Sequence, residues 1–530
     1  MTEEVLFDVN VILDYVLEAG DYTSVEYIIS KVSNRQLYGF FPAGLVPLLS
    51  HLLEQKLAKT PHPRIKDSKE KLKRVMSHLQ LITTIGEDVL AVLDTENYLT
   101  IKTAQRVCPD AMVITNSPGS LEQFRTFTPK AFVEYYKDRC KKKSDQILFL
   151  NLEREYINLM EEMDQVLHSV AAKAQYIMGA EVSQFEVSAA SYLGTKHAIG
   201  VASGTDALVL ALRALAIQKS GQEFFSEEDV IITSPFTFTA TGEAILRAGA
   251  TPLFVDIDPN NFNLNVEYLK EILSASHVDK HRVVGVLPVH LFGHSCDMST
   301  IMDVVEQYSS FVLEDVAQAF GAEWKGKKLG SIGTIGAFSF FPTKNLGSFG
   351  DGGLVITNDD RLAELVRMLL RHGGTDKYNV EHIGYNSRLD TIQASILQVK
   401  MRYIDECNLK RRRIAEFYNR ALQDLTSIKL PLYYDTYQHV YHQYTIRVTD
   451  GRRDQLHLAL KEKQISTMIY YPIPLHQMKV FEGRCAKAGS LNNAETMCGE
   501  VLSLPIAPLI SFEETELVVT SIREFFESGN

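Results

Sequence analysis

The chain has 530 residues, a net charge of −12, 45% hydrophobic and 23% charged residues. At roughly 150 residues per domain this allows three or four compact units. The balance is that of a folded globular protein, and it is too acidic for a surface built to neutralise nucleic-acid phosphates. Six dispersed cysteines form no Cys-x-x-Cys pair and read as reduced thiols. The opening Met1-Thr2-Glu3-Glu4 is acidic where a secretion signal is basic. No apolar run reaches the roughly 18 residues of a membrane span, so a cytoplasmic protein without a membrane partner is expected.

Val5-Leu6-Phe7 reads as a short strand leading into Asp8-Val9-Asn10-Val11-Ile12-Leu13-Asp14, whose apolar spacing continues helically through Val16 and Leu17. Ala111-Met112-Val113-Ile114-Thr115 reads as a second buried strand. A small α/β domain over residues 1–138 is therefore expected. The basic run from Lys137 to Lys143 marks a solvated linker, 139–146, before a new start at Ile147-Leu148-Phe149-Leu150.

From there apolar strands at Asp229–Thr233, Thr251–Asp256, Val283–Val289 and Phe311–Asp315 alternate with helical segments. That alternation predicts an α/β fold, a mostly parallel sheet with helices on both faces. The expected division is a large domain over 147–400 and a smaller C-terminal α/β subdomain over 401–530. No internal repeat or low-complexity tract interrupts it.

In open parallel sheets ligands gather beyond the carboxyl ends of strands. Ser203-Gly204-Thr205-Asp206 follows the run Ala198–Ala202 and precedes a helix with Leu208, Leu212 and Leu215 on one face. It is an anion site suited to a phosphate, or a plain N-cap by Ser203 or Thr205. Thr237 and Phe238 offer a hydroxyl and an aromatic face to a flat heterocycle, the alternative for Phe238 being a core position. Asp315 ends a strand, with Gln318 three residues later. Such a carboxylate either keeps a pyridine nitrogen protonated or caps the next helix. Lys344 stands between the apolar run Phe338-Ser339-Phe340-Phe341 and a glycine-rich turn ending Gly350-Asp351-Gly352-Gly353. A Schiff base requires an amine on a rigid element, partly desolvated so that its pKa falls. A solvated turn lysine is the competing reading. Phosphate turn, aromatic, strand-end aspartate and lysine, in that order on successive strand ends, together specify pyridoxal phosphate.

Residues from about 147 to the C-terminus resemble the DegT/DnrJ/StrS family of sugar aminotransferases, fold-type I pyridoxal-phosphate enzymes. The resemblance is carried by Gly200–Leu208, Pro235–Thr241, Val255–Asp258, Glu314–Ala319, the Lys344 segment, Gly384–Asp390 and Tyr470–His476. It implies that Lys344 anchors the cofactor covalently and then moves the proton. It further implies that Asp315 pairs with the pyridinium nitrogen, Gln318 meets the phenolic oxygen, Phe238 stacks on the ring, and Gly204, Thr205 and Ser339 hold the phosphate. Asn386 would reach the cofactor phosphate of a neighbouring subunit, which implies a homodimer with shared active sites. Arg388 and His476 would serve the nucleotide-sugar end. The implied substrates are L-glutamate as donor and a nucleotide-linked keto sugar as acceptor. Lysine where some relatives carry a dehydrating histidine implies transamination, and Lys-Asn-Leu-Gly resembles the members that aminate the third sugar carbon. A protein that keeps the fold without the reaction is the rival reading.

Residues 1–138 resemble PIN-like domains through the Asp8–Asp14 opening, Asp94-Thr95-Glu96-Asn97 and Val113-Ile114-Thr115-Asn116. Active members gather carboxylates around magnesium or manganese, and Asp8, Asp94 and Glu96 would be the metal ligands here. Asn97 stands where an acid is common, and Ser117-Pro118-Gly119 adds no carboxylate. Both a metal-dependent ribonuclease and a degenerate interaction module remain open.

Overall fold

The computed structural model describes residues 146–274, 282–308, 310–376, 378–432 and 439–527, and before them Ile12 and the backbone of five short strands. The chain divides into two compact units, Met1–Asp145 and Gln146–Asn530. In the first, β1 (Glu3–Phe7), β2 (Leu37–Pro42), β3 (Gln80–Ile82), β4 (Met112–Ile114) and β5 (Thr126–Phe127) form one sheet in the order β3-β2-β1-β4-β5. All its pairings are parallel, with Val5 opposite both Gly39 and Met112. The two apolar runs singled out in the sequence fall on the neighbours β1 and β4. Asp8, Asp94 and Glu96 lie outside the described residues.

The second unit opens with α1 (Leu152–Lys173), capped by Asn151 accepting from the Arg154 amide, and α2 (Ala180–Leu193), ended by Gly194 at φ 68°. Strands and helices then alternate: β6 (His197–Val201), α3 (Gly204–Ser220), β7 (Val230–Thr233), α4 (Thr239–Arg247), β8 (Thr251–Phe254), α5 (Val266–Ser274), β9 (Val283–Leu287), α6 (Met298–Glu306) and β10 (Phe311–Asp315). A short hairpin, β11 (Glu323–Trp324) with β12 (Lys327–Lys328), precedes β13 (Ile335–Ser339), β14 (Gly353–Thr357), α7 (Asp360–Leu369), α8 (Thr391–Met401) and α9 (Ile404–Leu422). The chain closes with β15 (Ile428–Lys429), β16 (Tyr444–Val448), α10 (Arg453–Glu462), β17 (Ala486–Lys487), α11 (Asn492–Glu500), β18 (Val501–Leu504) and α12 (Phe512–Glu527).

Eight strands form the main sheet in the order β17-β8-β7-β9-β10-β13-β14-β6, parallel except for β14, which runs against both neighbours. This is the α/β architecture expected from the alternation of elements. Strand β9 stops at Leu287, two residues short of the expected end, because Pro288 has no amide to donate. Its carbonyl instead accepts from the Asp315 amide at 2.9 Å.

Strands β9, β10 and β14 are buried along their whole length, as a sheet covered on both faces requires. Their side chains alternate between two cores. Phe311, Leu313, Ile335, Ala337 and Val355 pack with α3 and α7, whereas Val312, Phe338, Leu354 and Ile356 pack with α2 and α6. Helix α3 is buried without a break from Ala207 to Ile217, so it is enclosed on all sides rather than by the single Leu208/Leu212/Leu215 face. The smaller sheet β15-β16-β18 is antiparallel and packs with α9, α10 and α12 around Tyr418, Tyr444, Leu456 and Val518.

Phe185 on α2 is fully buried and meets Phe340 edge-on, with ring centroids 5.5 Å apart. Truncation leaves a cavity that the tightly packed layer does not refill. Phe185→Ala is expected to cost about 3–5 kcal/mol, read as a lowered midpoint of chemical unfolding.

Candidate active site

The carboxyl ends of β6, β7, β10 and β13 lead into the residues that the sequence singled out. Alternation along β10 sends Leu313 and Asp315 to the α3 face and Glu314 to the opposite one. Asp315 is 4% exposed. Its Oδ2 accepts from Thr241 Oγ1 at 2.9 Å and its Oδ1 from the Ala317 amide at 3.1 Å. Burial pushes the Asp315 carboxyl above the usual range, opposed by those hydrogen bonds and by the charge of Lys344. Asp315 thus holds the next turn and also keeps a buried charge facing Lys344. Lys344 shows the complementary effect: burial lowers its pKa to about 8 against the attraction of Asp315. It is the desolvated amine expected from its segment, not a solvated turn residue.

The turn after β6 carries both alternatives left open by the sequence. Ser203 is the N-cap of α3, accepting from the Asp206 amide at 3.1 Å, and this leaves Gly204 and Thr205 at the positive end of the helix. A Cβ on Gly204 would lie 2.5 Å from Ser339 Cβ, so two strand ends meet here closely enough to require glycine. Phe238 ends the loop after β7 with 57% of its surface exposed, and it is therefore not a core residue. Thr237 is buried and its Oγ1 lies 3.3 Å from that of Thr241, tied into the Asp315 network.

Gln318 accepts from the Phe292 amide at 2.7 Å and donates to the Tyr471 hydroxyl at 3.0 Å. Burial pushes the Tyr471 phenol well above its usual range. Its ring lies 6.1 Å from Phe236 and 6.4 Å from Phe238. Ser387 is buried, donates to Asp206 at 2.8 Å and accepts from the Ala202 amide at 3.2 Å. In this extended stretch Asn386, which is exposed, and Arg388 therefore lie on the side opposite Ser387 and the turn after β6.

Two predicted residues sit apart from this group. Arg388 lines a separate pocket with Arg367, Arg371 and Leu389, beside Gly200. His476 is buried, with Nε2 2.8 Å from Glu495 on α11 and Nδ1 without a hydrogen-bond partner. Sequence reasoning gave no role to Thr241, Tyr471, His290, Asn345, His442 or Arg411. Thr241 had a usable signal, since it stands four residues after Thr237 at the start of a helix. Asn345 donates to Asn408 at 2.8 Å and to the Val440 carbonyl at 3.1 Å, and its Oδ1 lies 3.1 Å from His442 Nδ1. Among the described residues no cluster of three or more His, Cys, Asp or Glu is placed to hold a metal, and no helix is long and apolar enough to cross a membrane.

The arrangement can bind a phosphate at a helix end, cover a flat ring with an aromatic face, keep a pyridine nitrogen opposite a buried carboxylate and present an uncharged amine. The chain is also similar to known proteins. Residues 158–523 match the model of the DegT/DnrJ/EryC1/StrS aminotransferase family. A "Pleiotropic regulatory protein" of Geobacillus stearothermophilus is 41% identical over 379 residues, spanning 71% of this chain and 98% of that protein. The dTDP-3-amino-3,6-dideoxy-alpha-D-galactopyranose transaminase of Aneurinibacillus thermoaerophilus is 39% identical over 72% of this chain and 99% of its own. The crystal structure of NtdA from Bacillus subtilis with bound cofactor PMP superposes with a TM-score of 0.64 and 29% identity, over 72% of this chain and 86% of that one. With its strand ends converging on a buried aspartate and a half-buried lysine, and with a match spanning most of its second unit, the chain belongs to the DegT/DnrJ/EryC1/StrS aminotransferase family.

Proposed function

We propose that the chain is a pyridoxal-phosphate-dependent aminotransferase that moves an amino group from L-glutamate to a nucleotide-linked 3-keto sugar, working as a homodimer with shared active sites. The observation that carries this reading is the opposition of buried Asp315 and half-buried, desolvated Lys344 where the strands end. The residues present fit the cofactor. Gly204, with no Cβ against Ser339, leaves backbone amides of the turn free to face a phosphate, and Phe238 offers an exposed ring. When bound, pyridoxal phosphate supplies an electron sink for the carbon being deprotonated.

The protein's own part is to hold and to move protons. Lys344, with its amine near neutrality, anchors the cofactor and then accepts and returns the proton at Nζ. Asp315 keeps a positive charge on the ring nitrogen, and Thr241 and the Ala317 amide fix both of its oxygens. Gln318, held by the Phe292 amide and Tyr471, would be the residue to meet the phenolic oxygen of the bound cofactor. Exposed Asn386 supports the sharing of a site between two copies. The Aneurinibacillus relative, named for a 3-amino sugar, supports the position of amination. The relative named as a regulatory protein raises a role without catalysis. A desolvated lysine opposite a buried aspartate favours the enzyme, because such a pair is costly to keep without a use.

The proposed boundaries are a PIN-like domain over 1–138, a linker over 139–146, a large domain over 147–400 and a small one over 401–530. The parallel order β3-β2-β1-β4-β5 supports the first, since Asp8 directly follows β1, whose two neighbours β2 and β4 lead away in opposite directions. Magnesium-dependent RNA cleavage lost in Asp8→Ala is the result that would establish a nuclease, whereas an inert wild type leaves an interaction module.

Purified protein supplied with pyridoxal phosphate is expected to show a visible absorption band that L-glutamate discharges. Lys344→Ala should keep its far-ultraviolet circular dichroism and lose both the band and turnover. A well-folded, active Lys344→Ala would overturn the assignment. Because only the uncharged amine reacts, the rate of cofactor uptake should rise about tenfold per pH unit well below the Lys344 pKa of about 8 and level off above it. Asp315 raises that pKa, so Asp315→Asn should move the midpoint to lower pH, measured by stopped-flow absorption across the same series.

A further inference from the structure

A cleft opens beside Lys344 and Asn345, bounded by the segment before α1, by α9 and by the turn after β18. Its charges do not balance. Arg154 is engaged by Glu514 at 2.8 Å and 2.9 Å, and Glu155 by Lys400 at 2.7 Å. Arg411, on α9, remains. It is 4% exposed, and its Nη1 donates only to the Ile506 and Tyr441 carbonyls, at 3.0 Å and 3.4 Å. Among the described residues no carboxylate hydrogen-bonds it. Burial lowers its pKa to about 10. The charges of Lys344 and Arg411 both act on the imidazole of His442, so the two cations are close to one another.

The charge of Glu155 reaches Arg411 without a hydrogen bond; a buried guanidinium with no carboxylate bonded to it is costly, and its planar fork matches one. Ile147, Leu148 and Ile510 give the same cleft apolar walls suited to a short methylene chain. We propose that this cleft receives a carboxylate of the amino donor, a dicarboxylic amino acid, with Arg411 as the anchoring cation and the donor's amine directed to the Lys344 side. The proposal rests on the aminotransferase reading above and names the site of its donor. Arg411 positions the donor without taking part in proton transfer.

The test pairs calorimetric binding of glutarate, which cannot react, with the concentration dependence of L-glutamate discharging the visible band. Both use the full-length, cofactor-loaded protein. Arg411→Gln is expected to weaken glutarate and to raise the L-glutamate KM by roughly 10- to 100-fold, with the rate at saturation kept within a few-fold. Arg411→Lys should recover part of the loss. Arg411 also ties two carbonyls, so Cys407→Asp provides a second route. One helical turn before Arg411, it sets a competing carboxylate on the same cleft while leaving those carbonyl bonds in place, and it should raise the KM at least tenfold. An unchanged KM in either folded variant overturns the proposal, as does loss of glutarate binding with an unaltered KM, which would mark an anion site unconnected with the donor. A wild-type band that ignores L-glutamate refutes the donor in the functional reading itself, and is thereby distinguished from failure at Arg411.

Discussion

A buried carboxylate and a largely desolvated ammonium within electrostatic reach of each other set the terms for the rest of this site. Burial alone would neutralise both Asp315 and Lys344, and each one's charge pulls the other back toward ionisation. Such a balance requires rigid surroundings. They come from the residue one place earlier, because alternation sends Glu314 through the sheet to the other core. There its carboxylate accepts from the amides of Gly330, Ile332 and Gly333 and lies 3.1 Å from His290 Nε2. His290 Nδ1 accepts from the Cys296 amide, which assigns the proton to Nε2 and makes the Glu314 contact a donated hydrogen bond. The end of β10 is thus fixed from both faces.

The lysine is held by parts of the chain remote from its own strand. Asn345 uses its amide group in three directions, to Asn408 on α9, to the Val440 carbonyl and to His442. Asn408 in turn donates to the Phe320 carbonyl at 3.1 Å, just past β10. Since Asn345 Oδ1 only accepts, His442 Nδ1 carries the proton. Burial and the charges of Lys344 and Arg411 keep that imidazole uncharged. The position of Lys344 therefore depends on how α9 and the approach to β16 pack, which links the smaller sheet to the chemistry on the larger one.

The sheet, the helices covering it and the strand-end positions of Asp315, Phe238, Ser203 and Lys344 were legible because each follows from local periodicity and turn residues. Partners brought together by tertiary packing were not. Thr241 lies 74 residues from Asp315, and Tyr471 lies 153 residues from Gln318. No spacing rule connects such pairs. Arg388 and His476 illustrate the complementary limit. Their motifs are local and were recognised, yet the direction of each side chain is decided by neighbours. His476 turns to Glu495, and Arg388 faces a pocket beside Gly200.

The one reversed strand explains why three backbones meet at the turn after β6. Had β14 run parallel, its amino end would lie at the far edge of the sheet. Running antiparallel between β13 and β6, it brings Gly353 into register with Ser339 on one side and Val201 on the other. The carboxyl ends of two strands and the amino end of a third then share one edge. The crowding is measurable: a Cβ on Gly353 would fall 2.3 Å from the Ser203 carbonyl oxygen, and one on Gly204 would fall 2.5 Å from Ser339 Cβ. Neither glycine has a positive φ, so both answer to close approach and not to backbone freedom. Glycine at 204 and 353 is therefore a consequence of strand direction. No side chain from position 353 covers the turn at the start of α3.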